Sequence, residues 1–281
     1  MSGEKMKLYW PIGLSKAMPD RTSRGDLLDE TLQAYTQHVM GPDVSVTIGW
    51  LEKTTSLLSS LYLGTVNDVY VINDILKMEE QGIDGAIVGG HWDPGLYPAR
   101  EAASIPVAGP GESAMMLAAT LGRRFAMLTV HEGYVPIIEH NIRTYGLQDK
   151  ALATRPVRKF GMTYDNFVRC LEGKDDEFLV EFEKTARQCI ADGADVIIAG
   201  GQLFGPAFVK HNFSSIANTG VPVIETTACG LKFAQTLVSL KRSIGLAKSQ
   251  HIHSPFRTPP RDLVNDVRVS YGISRQENRH A

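Results

Sequence analysis

The sequence predicts an α/β fold of two pseudo-symmetric halves, each built on a parallel sheet, facing one another across a cleft. Three observations predict it. Short apolar, β-branched runs alternate with longer amphipathic stretches, which is the pattern of βαβ units. The short runs are hydrophobic almost throughout, as strands are when helices cover both faces of a sheet. One stretch also occurs twice: Gly82-Ile83-Asp84-Gly85-Ala86-Ile87-Val88-Gly89-Gly90-His91 aligns with Gly193-Ala194-Asp195-Val196-Ile197-Ile198-Ala199-Gly200-Gly201-Gln202.

Strands are expected at 8–12, 45–50, 85–88, 106–108, 125–130, 194–199 and 221–224, and helices at 67–81, 112–121, 135–145, 177–192 and 230–244. Each copy of the repeat follows an amphipathic helix. Each is followed by an x-Pro-Val strand, Ile105-Pro106-Val107 or Val221-Pro222-Val223, and then by a helix of small and apolar residues. The copies lie too far apart for a solenoid, so two related halves are the simpler reading. Residues 1–112 together with 226–281 are expected to form the first lobe, and 113–225 the second. Ligands of parallel sheets bind beyond the carboxyl ends of the strands. Both glycine pairs fall at such an end, so facing halves would set Gly90 and Gly201 on opposite walls of one cleft.

Composition narrows the class. The chain has 281 residues, 43% hydrophobic and 21% charged, with a formal net charge of −2. That suits a globular protein with a sizeable core and a small-molecule substrate, and it gives no footing for nucleic acid or a membrane surface. No apolar run reaches the roughly 18–20 residues needed to cross a bilayer, and the N-terminal residues carry no signal-peptide pattern. Cys170, Cys189 and Cys229 lie far apart, which argues against disulfides and a cysteine zinc site. A cytoplasmic location is expected. So is a homo-oligomer, from long exposed-looking helices and an unstructured Pro-rich tail holding His251 and His253.

Further residues carry a family resemblance. The series Asp93-Pro94-Gly95-Leu96, Ala99-Arg100-Glu101, Ile105-Pro106-Val107, Gly111-Glu112 and Leu121-Gly122-Arg123-Arg124-Phe125 resembles the first-half signature of hydantoin racemases, within the Asp/Glu/hydantoin racemase superfamily. Asp192-Gly193-Ala194-Asp195, Gly200-Gly201 and Gly220-Val221-Pro222-Val223-Ile224-Glu225 resemble the second half. The resemblance implies two pseudo-symmetric α/β halves with the active site in the cleft between them. It also implies one catalytic cysteine from each half, a base and an acid on opposite faces of a planar carbanion. The matching positions here are Gly90 and Gly201, so two-thiol chemistry cannot run. Pro11-Ile12-Gly13-Leu14-Ser15 also stands where such racemases carry an Asn-Pro-Asn-type loop.

Other groups must therefore supply the chemistry. His91, in the turn after the first glycine pair, is either a general base or metal ligand, or a loop residue bonded to Asp93. His131, past the 125–130 strand, belongs at the same sheet edge. The two histidines with Glu112, Glu132 or Glu225 would make a divalent-metal set; no organic cofactor is expected. Glu225-Thr226-Thr227 and Gly111-Glu112-Ser113 begin helices, where backbone N–H groups can hold an anionic or carbonyl oxygen, or where the side chains simply cap. Gln202, Trp92 and Phe204 flank the glycine turns and suit a planar amide. The catalytic set is thus His91, His131 and Glu225, with Gly90, Trp92, Glu112, Gly201, Gln202 and Thr226 contacting substrate. Without thiols, the expected reaction is a His-assisted hydrolytic or lyase step on a small cyclic ureide or related carboxylate, the glycines leaving room for water. A racemase or isomerase with non-thiol bases is the alternative, and a non-catalytic small-molecule-binding protein the third reading.

Overall fold

The structure, a computed structural model, describes residues 5–15, 25–55 and 57–273. In the first half, β1 (Met6–Ile12), α1 (Gly25–Met40), β2 (Val44–Trp50), α2 (Leu61–Glu80), β3 (Gly85–Ile87), α3 (Leu96–Ala102), β4 (Val107–Ala108) and α4 (Pro110–Leu121) follow one another. The second half runs β5 (Phe125–Thr129), α5 (Tyr134–Thr144), β6 (Val157–Lys159), α6 (Tyr164–Glu172), α7 (Glu177–Ala191), β7 (Val196–Ala199), α8 (Gly205–Lys210), β8 (Val223–Glu225) and α9 (Thr226–Ile244). A last helix, α10 (Arg261–Ser270), closes the described chain.

Among the described residues there are two four-stranded sheets, ordered β2-β1-β3-β4 and β6-β5-β7-β8, with every pairing parallel. The second order is the first with each strand replaced by its counterpart. Registers agree as well. Ala86 faces Val107 in one sheet, and Ile197, its partner in the repeat, faces Val223 in the other. The internal repeat is therefore a structural duplication.

The helices after the repeats exchange sheets. Helix α4 packs on β5, β7 and β8, α9 packs on β1, β3 and β4, and the two helices lie against each other. One apolar core consequently runs from Leu8, Trp10 and Ile12 through Met115 and Leu231 to Phe125, Ile197 and Ile198. Each such side chain, once fully buried, contributes about 1.5–3 kcal/mol. A second cluster, including Tyr9, Val71, Ile75 and Val107, fills the outer face of the first sheet under α2 and α3.

The short helices α3, α6 and α8 were not read from the sequence, nor were three further features. Helix α1 buries Leu28, Leu32, Tyr35, Thr36 and Met40, spaced as one helical face, a signal that was present but unread. Strand β6 has only three residues and the polar pattern Val-Arg-Lys. The Pro-rich stretch 246–260 forms no helix or strand, but the chain beyond it does: α10 docks on α2, where Arg268 donates to Asn73 (2.9 Å) and Glu80 (3.0 Å). None of the described helices is long and apolar enough to cross a membrane.

Candidate active site

The two repeated turns meet through one side chain. After β3 the chain turns through Gly90, at φ 150°, and delivers His91 across to the second half. There His91 Nε2 lies 2.8 Å from the Thr129 hydroxyl, at the carboxyl end of β5. The imidazole also rests on Gly200: a Cβ built there would sit 2.8 Å from His91 Cδ2. A residue from the end of β3 thus bridges to the ends of β5 and β7. The imidazole is 3% exposed, and burial drives its pKa down to about 3, so it is neutral at pH 7. Trp92 and Tyr134 stack on each other, centroids 4.4 Å apart, and both meet the imidazole edge-on.

The glycines do not leave room for water, as the sequence had suggested. A Cβ on Gly90 would lie 2.9 Å from the Trp92 ring, and one on Gly201 would overlap the ring of Phe204. Gly90 and Gly201 are each walled by an aromatic side chain from two or three residues further on. Phe204 is held in turn by Phe160, Phe167, Phe178 and Phe208.

Asp93 does not bond His91. At φ 56° it turns its carboxyl onto the first turn of α4, accepting from Gly111 N (2.8 Å) and Glu112 N (2.7 Å), and from the Tyr145 hydroxyl (2.8 Å). Burial raises its pKa to about 7 against these three donors. Glu225 repeats the construction in the second half. It caps α9 by accepting from Thr227 N and Ala228 N, both 2.8 Å, and from the Tyr35 hydroxyl. Each carboxyl takes its phenol from the other half, since Tyr145 ends α5 and Tyr35 lies on α1. Glu225 therefore ties halves and helix together, and with both oxygens engaged it is not the catalytic carboxylate the sequence suggested.

Other expectations are corrected too. Glu112 is held by Arg100 in a two-pronged ion pair, one contact at 3.0 Å, while Arg100 Nε donates to Val107 O. It serves α4 rather than a substrate. Arg100→Ala would strand the Glu112 charge in a buried place and is expected to cost about 3–5 kcal/mol in urea unfolding. The Arg100→Met, Glu112→Leu double variant should recover most of that loss. Thr226 is fully buried and its hydroxyl bonds Ala199 O (3.4 Å), and Thr227 bonds Gln202 O (3.0 Å); both fasten α9 to the β7 turn. His131 is exposed, its Nδ1 accepting from Gly133 N (3.0 Å). The chain leaves the sheet after Thr129, so the threonine faces His91 and His131 shapes the turn. Among the described residues no three His, Cys, Asp or Glu side chains group to hold a metal ion, so the proposed metal set does not assemble. The thiol of Cys229, beside Glu225 at the start of α9, is held in its protonated form, burial pushing its pKa well up. Thr129, Tyr134, Tyr35 and Tyr145 were missed; only Thr129, the one polar residue of β5, carried a signal.

Two duplicated α/β halves joined at their strand ends define a racemase-type fold, and comparison with known proteins agrees. The chain belongs to the Asp/Glu/Hydantoin racemase family, which it matches over residues 26–234. It is 31% identical over 184 residues to a hydantoin racemase of Pseudomonas sp. (strain NS671), covering 64% of this chain and 68% of that protein. It is 30% identical over 168 residues to the hydantoin racemase of Rhizobium meliloti, covering 60% and 66%. The fold is shared with the allantoin racemases of Klebsiella pneumoniae (TM-score 0.69, 22% identity, 91% of this chain and 94% of that one) and Pseudomonas fluorescens (TM-score 0.71, 23%, 90% and 97%). The expectation of a hydrolytic or lyase reaction is overturned: both the family and these relatives are racemases.

Proposed function

We propose that the protein is a racemase or isomerase that inverts a carbon next to a carbonyl in a small cyclic ureide of the hydantoin class, with His91 in place of a thiol. The observation that carries this is the neutral imidazole held by Thr129 where the repeated turns meet, in a chain of the racemase family. With Nε2–H donating to the Thr129 hydroxyl, Nδ1 takes the proton from the substrate carbon, and the proton that completes inversion reaches the opposite face from solvent. A buried imidazole resists protonation by itself, but the enolate formed in the same step is an opposite charge beside it. The pair costs far less to bury than either ion alone.

The test is an enantiopure 5-substituted hydantoin incubated with the protein in deuterium oxide. Optical rotation should fall to zero, with one deuterium gained and the skeleton unchanged. Retention of optical rotation across a panel of hydantoins and allantoin would refute the assignment.

A further inference from the structure

Gln202 follows the Gly200-Gly201 turn on which His91 rests, and its side chain is more than nine-tenths buried. Its Oε1 has no hydrogen-bond partner. Its main-chain carbonyl is anchored by Thr227, so the residue is fixed in place. A buried, unpaired carbonyl oxygen costs free energy in the ligand-free protein. Three other such atoms have ordinary explanations. Glu172 Oε2 is ion-paired with Lys174 (2.7 Å). Ser113 Oγ can rotate onto the Gly109 carbonyl one turn back in its own helix, and Trp10 Nε1 lies mid-strand in the core, away from the turns. Gln202 has none of these: its oxygen needs a donor from outside, and the residue directly follows the glycine turn against which His91 packs.

We infer that Gln202 is the specificity-determining residue of this site, its Oε1 accepting a ring N–H of the substrate. This rests on the function proposed above and narrows it to ligands with a free N–H beside a carbonyl. A site that supplies a buried acceptor rejects analogues lacking the donor, because the acceptor is then left unpaired.

Calorimetric binding of 5-methylhydantoin and its N1-methyl and N3-methyl derivatives reads this without turnover. Wild type should favour the unmethylated compound over one methylated isomer by about 10- to 100-fold. In Gln202→Leu and Gln202→Met that ratio should fall to about one. The Tm of both variants should hold or rise by a few degrees, since an unpaired polar atom is removed. Unchanged discrimination in both variants would overturn the role of Gln202 alone. Failure of wild type to bind any of the three compounds would overturn the hydantoin-class function as well.

Discussion

His91→Asn is expected to reduce the proposed racemisation by about 10²- to 10⁴-fold, the usual contribution of a positioned proton-transfer group. It should also change how stability depends on pH, which a purely kinetic defect would not do. The folded-state pKa of His91 is depressed to about 3 from an ordinary 6.5. Between those values the unfolded chain binds a proton that the folded one does not, so His91 makes stability fall as pH falls. The slope is about 1.4 kcal/mol per pH unit at most. Asparagine lacks that titration, so the stability gap between wild type and variant should shift toward the variant by this amount per unit below pH 6.5. Asp93 pulls the other way: raised to about 7, it makes stability fall as pH rises from about 4 to 7. The raw curve of wild type is therefore flattened, and the difference between the two proteins is the quantity to measure. Urea unfolding at pH 7.5, 6 and 5 supplies it, and parallel curves would mean that the imidazole is not buried in its neutral form.

Returning a side chain to the second family position is the other large effect. Gly201→Cys is expected to cost about 3 kcal/mol, because its Cβ would occupy space already filled by Phe204. Phe204→Ala should cost about 3–5 kcal/mol alone, having emptied an aromatic cluster. The double variant should be no less stable than Phe204→Ala, giving a coupling near the full cost of the cysteine. Additive losses would show that the ring does not hold the thiol's place. The same reasoning extends to Gly90, where Trp92 takes the corresponding space and the backbone at φ 150° adds strain. Each of the two glycines thus comes with an aromatic ring that fills the space a side chain would take.

Much of the fold was legible because strand burial and duplication are written locally. Val-Ile-Ile-Ala and Gly-Ala-Ile announce central parallel strands wherever they occur, and the repeat gave the second sheet the topology of the first. The site was legible only in part. His91 was picked out by its place after a glycine pair, and it does lie where the halves meet. Glu112, Glu225 and Thr226 were picked out by the same logic of sheet edges and helix starts. There the sequence offered two readings, substrate contact or capping. The choice depended on partners distant in the chain: Arg100 for Glu112, Tyr35 for Glu225 and Ala199 for Thr226.

What the amino-acid order determined by itself was the duplicated parallel-sheet architecture, the two glycine pairs at its strand ends and the short roll of polar groups beside them. Each of these depends on neighbours along the chain. Tertiary structure decided which of those groups are spent on stability and which stand at the junction. It turned His131 outward, tied the carboxyls to helix ends through phenols of the opposite half, and set Thr129 against His91. Hydrogen bonds and ring contacts act over a few ångströms, so only the folding of two sheets onto shared helices, α4 and α9, could select those pairs.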